Sequence, residues 1–230
     1  MPASLERFEV YLESGQKRTV AGVLDWPGWC RIGRDEGTAL AALAEYQARY
    51  AHLLRDTAYA EALAVPTPTF AVVERLAGNA TTDFGVPGRA PAWDLTPLDA
   101  ASARRYGIVL GAIWRGFDAA AAAARGEELR RGPRGGGRDL DKIVAHVLQS
   151  EAGYLAQQRW KIDKVQEERI AEEGPRIHRG VLDALDAAAC GEAPTSGPRG
   201  GKVWPARYFV RRVAWHVLDH LWEIEDRVDA

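Results

Sequence analysis

The sequence predicts an α+β protein in which a small sheet-bearing unit precedes a bundle of long helices. Three observations predict it. The first eighty of the 230 residues hold short runs of β-formers bounded by turn residues. From Thr96 onward, apolar residues recur at three- and four-residue intervals. Between these parts, residues 78–97 are rich in Gly, Pro, Asn and Asp and carry no period.

In the first part, Phe8-Glu-Val-Tyr-Leu12 alternates and reads as a strand. Arg18 to Leu24 reads as a second strand, joined to it through the hairpin residues Ser14-Gly15-Gln16. Asp25-Trp-Pro-Gly-Trp-Cys30 is an aromatic turn. Leu40, Leu43, Ala44, Tyr50 and Leu54 follow at helical spacing, with Asp35 or Thr38 as the cap. Phe70 to Leu76 reads as a third strand. The order strand–strand–helix–strand defines a unit over residues 1–80, and residues 81–95 form a linker or an ordered crossover.

The remainder, residues 96–230, reads as four helices. Thr96-Pro97-Leu98-Asp99 supplies start signals for a helix reaching about Ala124, with Tyr106, Leu110, Ile113, Trp114 and Phe117 on its core face. Arg131 to Arg138 breaks the pattern, and a second helix starts near Asp139. A third covers roughly Gly174 to Ala189, with Pro175 in its first turn. Cys190 to Lys202 is a loop, and Trp204-Pro205 opens a last helix running to about Arg227. Four such helices fit a four-helix bundle.

Hydrophobic residues make up 47% of the chain, enough for a buried core. A net charge of -2 argues against general attraction to nucleic acid or anionic membrane, so neither is an expected partner. No apolar run approaches the length of a membrane span. Met1 to Val10 carries Glu6 and Glu9 without an apolar stretch, unlike a secretory signal. Cys30 and Cys190 are far apart and lie outside any Cys-x-x-Cys motif, so the expected compartment is the reducing cytoplasm.

The last helix carries the chemistry. His216 and His220 lie four residues apart, on one face and within reach of a single ion. They flank the apolar stripe of Val210, Val213, Val217, Leu221 and Ile224. His146 borders the corresponding stripe of the second helix and is the best candidate for a third ligand. Three neutral imidazoles leave a position open on the metal, which is a catalytic pattern rather than a closed structural one. The alternative is that each histidine bonds a carbonyl or carboxylate and no ion. Each ligand needs an acceptor for its other N–H. Glu223 and Arg227 lie toward the histidine side, whereas Asp219 projects away. Glu151, close to an apolar stripe, is a candidate acceptor or general base, with an ion pair to an arginine as the alternative. Arg212, one turn before His216, is a candidate contact for an anionic substrate group, with solvated surface as the alternative.

His146 on a second helix, some seventy residues before His216-Val-Leu-Asp-His220, resembles the DinB/YfiT-like metalloprotein superfamily. The resemblance covers roughly residues 96–228. It implies a four-helix bundle, often dimeric, in which His146, His216 and His220 hold a divalent metal ion. Zinc or nickel is expected. Members include thiol-dependent S-transferases and a mycothiol-dependent maleylpyruvate isomerase. The resemblance therefore implies a small-molecule substrate and a low-molecular-weight thiol such as mycothiol or bacillithiol, activated by the metal. Strand, strand, Asp25-Trp-Pro-Gly-Trp-Cys30 and helix also resemble the HicB antitoxin-like fold, although Trp29 interrupts its Pro-Gly-Cys turn. That likeness implies an accessory or partner-binding unit. The alternative function is then a non-catalytic metal-binding or protein-interaction module acting through this HicB-like unit.

Other motifs carry less. Asp83-Phe84-Gly85 lacks the companion motifs of a kinase. Gly197 to Lys202 has Val203 where a phosphate loop needs Ser or Thr. The basic stretch Arg130 to Arg138 reads as a solvated loop. Trp26 and Trp29 read as core, or as the lining of a ligand or partner surface.

Overall fold

The computed structural model describes residues 7–131, 137–160, 163, 165, 166, 169–194, 196 and 203–228. The chain divides into two compact units, Met1–Thr96 and Pro97–Ala230. The glycine-rich motif Gly197 to Lys202 lies outside the described residues. No helix among the described residues is long and apolar enough to cross a membrane.

The first unit is built on a four-stranded sheet in the order β3-β2-β1-β4. Strand β1 (Arg7–Ser14) pairs antiparallel with β2 (Thr19–Val23), from Val10 opposite Val23 to Ser14 opposite Thr19. Trp26-Pro-Gly-Trp29 then forms a tight turn in which the Trp29 amide donates to the Trp26 carbonyl at 3.1 Å. Gly28 sits there at φ 88°, a left-handed conformation that a side chain would strain. The turn delivers β3 (Cys30–Gly33) back along β2, a strand absent from the sequence expectation. Four residues are too few to show an alternation of their own. The helical run then breaks in two at Tyr46. α1 (Glu36–Glu45) starts at an Asp35–Thr38 capping box, and α2 (Gln47–Leu53) follows. The chain returns as β4 (Thr69–Ala77), parallel to β1.

Trp29 lies at the centre of this unit. Its indole N–H donates to the Leu43 carbonyl at 2.9 Å, and its ring stacks on Tyr50 at 5.6 Å between centroids. Phe8 and Phe70 meet it edge-on. Both Trp26 and Trp29 are buried, which is the core reading of these residues.

Residues 78–95 form an ordered strap on the first unit. α3 (Ala80–Phe84) is capped by Asn79 and ends at Gly85, which takes φ 100°. The kinase-like tripeptide is thus a helix end. Asp83 accepts hydrogen bonds from the Lys17 and Arg18 amides of the β1–β2 turn, at 2.7 and 3.3 Å. Glu13 on β1 is fully buried, and its carboxylate accepts from the Thr82 hydroxyl and from the Gly88 and Arg89 amides. These bonds meet the need of a buried carboxylate for donors.

Among the described residues, the second unit is four helices in a ring. α4 (Ala100–Ala123) packs against α6 and α7, and α5 (Leu140–Gln157) packs against the same two. α6 spans Ile170–Ala189, and α7 spans Ala206–Val228. Asp99 and Asp139 cap α4 and α5 through the amides of Ser102 and Lys142. Tyr106, Leu110, Ile113, Trp114 and Phe117 are all buried, as their spacing predicts. α6 begins four residues earlier than its sequence signals suggest, so Pro175 lies inside the helix rather than in its first turn. Ile177, Val181, Ala184 and Leu185 beyond it keep one buried face. α7 is buried nearly all round, and its polar side chains meet one another, α5, Tyr106 on α4 and the Arg130 backbone.

Candidate metal centre

α5 and α7 are packed neighbours, and their contact brings three imidazoles together. The His146 and His220 ring centroids are 5.0 Å apart, those of His146 and His216 also 5.0 Å, and those of His216 and His220 4.7 Å. One nitrogen from each lies within 4.8 Å of the other two. Among the described residues this is the one cluster of three such donors close enough for a single ion.

The distances suit a metal. His216 Nε2 is 3.3 Å from His146 Nε2. Two bonds of about 2.0–2.1 Å at a tetrahedral angle would set their nitrogens roughly 3.3–3.4 Å apart. His220 Nδ1 lies 2.7 Å from Glu223 Oε2. The imidazole hydrogen bond is the leading cause holding the Glu223 carboxyl below its usual range, so this group is an acceptor only. The proton is therefore assigned to Nδ1, and the Nε2 lone pair is left for an ion. Glu223 is in turn held by Arg227, whose Nη1 donates to Oε1 at 2.8 Å. Both residues follow His220 at helical intervals, three and seven positions on, which is the signal that points to them in the sequence.

His216 departs from the usual pattern, because its buried Nδ1 has no hydrogen-bond partner among the described residues. Packing orients it instead. The rings of Tyr154 and Trp215 lie 5.9 and 6.0 Å away. His146 is half-buried, so among the described residues the cluster is open toward solvent on that side.

Burial, and then the other imidazoles, act against protonation here. Burial together with the neighbouring His220 and Arg138 pushes His146 down to about 4. Burial with His220, His146 and Arg212 pushes His216 down to about 2. Neutral imidazoles are the ligand form. The same shifts carry a pH dependence. An unfolded histidine takes up a proton near pH 6.5, while the folded ones refuse it until pH 4 or below. The unfolded state thus gains protons first, and stability falls as pH drops below 6.5. The urea midpoint of metal-free protein is expected to be flat above pH 7 and to fall between pH 6.5 and 5. A midpoint that rises over that interval would overturn this pH dependence.

Two other predicted residues sit differently from expectation. Glu151 is fully buried, but it turns to α4 and α6 rather than to the three histidines. It accepts from the Trp114 indole at 2.8 Å, and His178, stacked on that indole, lies 3.6 Å from its other oxygen. Among the described residues it pairs with no arginine and bonds none of the three clustered histidines. Being five positions after His146 on α5 turns it away from α7. Arg212 is buried rather than solvated. Its guanidinium lies 3.3 Å from the Tyr154 hydroxyl and 3.4 Å from that of Tyr208. Trp204 and Trp215 complete an aromatic surround. Through Tyr154 it belongs to the wall beside His216.

No protein-family model, no curated protein and no solved structure matches the chain.

Proposed function

We propose that the chain binds one divalent metal ion through His146, His216 and His220 and uses it in chemistry on a small molecule. The observation that carries this reading is the convergence of three imidazole nitrogens within 4.8 Å, one of them backed by a carboxylate. Zinc and nickel both accept such a donor set. Bound there, the ion would supply Lewis acidity and lower the pKa of a thiol or water at its open position.

The chain's own groups supply the rest. Glu223 fixes the tautomer of His220. Tyr154, His146 and Trp215 hold the ring of His216. Arg212 and Arg138 add positive charge beside the imidazoles, which suits an anionic thiolate or substrate group. The activity that follows is transfer or isomerisation dependent on a low-molecular-weight thiol such as mycothiol or bacillithiol.

The test uses full-length protein without a histidine tag. Elemental analysis is expected to find about one equivalent of zinc or nickel. Addition of thiol and a reactive electrophile should then give turnover that a chelator abolishes and the metal restores. No metal after incubation with either ion overturns the whole reading. Metal without chelator-sensitive turnover overturns the catalytic part and leaves a metal-binding module.

A further inference from the structure

The chain leaving α4 and the chain entering α5 meet α7 at one side chain, Arg227. Its Nε donates to the Arg130 carbonyl at 2.6 Å, while the Arg130 amide donates to the Arg227 carbonyl at 3.1 Å. The Arg130 guanidinium adds a bond to the Asp226 carbonyl at 2.5 Å. At the other end of the connection, Gly137 lies flush against the same arginine. A Cβ at Gly137 would stand 2.6 Å from Arg227 Nη2 and 3.2 Å from its Cζ. Only a residue without a side chain fits there unless the guanidinium moves.

That guanidinium has little freedom to move. It is buried, and its remaining arm holds Glu223 Oε1 at 2.8 Å. Glu223 Oε2 in turn receives His220 Nδ1 at 2.7 Å. An unbroken line of charge-assisted hydrogen bonds therefore runs from the Arg130 backbone to a histidine of the cluster. We propose that Arg227 is a positioning residue that couples the placement of Arg130 and Gly137 to the metal centre, through Glu223 and His220. The proposal rests on the metal reading given above.

The coupling has two directions. With Arg130 and Gly137 in place, Arg227 is fixed, Glu223 is aimed, and His220 presents Nε2 to the ion. Conversely, an ion on His220 restrains Glu223 and Arg227, and so holds Arg130 and Gly137 in place. Linkage requires the two effects to be equal in size. Loss of an acceptor behind a metal-ligating histidine weakens metal binding about 10- to 100-fold. The effect of disturbing these contacts should fall within that range.

The test measures zinc affinity by chelator competition and amide exchange at Arg130, both on the full chain. Wild-type protein should exchange the Arg130 amide about tenfold more slowly when zinc is bound. Arg227→Met should weaken zinc about tenfold or more and erase that protection. Arg227→Lys should recover part of the affinity, since one ammonium cannot serve Arg130 and Glu223 in the same geometry. Gly137→Ala, which touches no ligand, should weaken zinc in the same direction. A folded Arg227→Met with wild-type zinc affinity overturns the proposal. So does zinc-independent exchange at Arg130 in the wild type, an arm that needs no variant to fold. Wild-type protein that takes up no zinc fails earlier, and it ends the metal reading and this coupling together.

Discussion

Changing His216 and His220 together to alanine is expected to remove the metal, with zinc affinity falling more than about a thousandfold. Three imidazoles sharing a binding free energy on the order of 10 kcal/mol leave too little when one remains. The consequence should show in stability as well as in metal content. At a thousandfold excess over Kd, an ion that binds only the folded state adds about 4 kcal/mol. Wild-type protein should therefore melt higher with zinc than without it, and the double variant should melt alike in both. Because His216 also resists protonation in the fold, the metal-free variant should lose part of the acid sensitivity described above. A variant that kept an equivalent of zinc would place the site elsewhere.

Glu13→Ala is expected to destabilise the first unit by about 3 kcal/mol. The side chain is fully buried and receives the Thr82 hydroxyl and the Gly88 and Arg89 amides. Truncation leaves those donors facing a void and frees the strap from β1. Glu13→Gln keeps one acceptor oxygen but turns an amide N–H2 toward donors, so it should recover only part of the loss. Urea unfolding gives the magnitude, and faster exchange of the Gly88 and Arg89 amides would place it at the strap. Exchange at those amides that is unchanged in a folded Glu13→Ala protein would show that Glu13 does not hold the strap.

These two sites differ in how they could be read from the sequence. His216 and His220 share a helix, so a four-residue interval is enough to put them on one face. His146 borders a buried stripe on a helix of its own, and the packing of α5 on α7 completes the triangle. The helix faces were legible for the same local reason, and so was the start of α5 near Asp139; α4, in contrast, starts three residues later than its Thr96-Pro97 signals suggest, with Asp99 as the cap rather than a first-turn acid. What escaped was set by contacts distant in sequence. β3 is recognised only through its pairing with β2. The role of Glu13 depends on amides seventy-five and seventy-six positions away. Glu151 is marked by its position as buried, yet its partners come from two other helices, Trp114 and His178, and neither is an arginine. Pro175 misled because proline favours first turns, whereas α6 already starts at Ile170 and buries Glu173 ahead of it.

The pairing of β1 with β4 has a consequence in time. Phe8 finds its partner Phe70 only after the whole β2–β3–α1–α2 stretch lies between them. On a ribosome that adds about 5–20 residues each second, the sheet stays incomplete for several seconds after β1 emerges. Until then Tyr11 and Leu12 lack their parallel neighbour, and Glu13 lacks its donors. The four helices need no such wait for their own turns. Non-local pairing makes the first unit the slower to fold, although it is synthesised first, and makes β1 the segment most exposed to misassociation on the nascent chain.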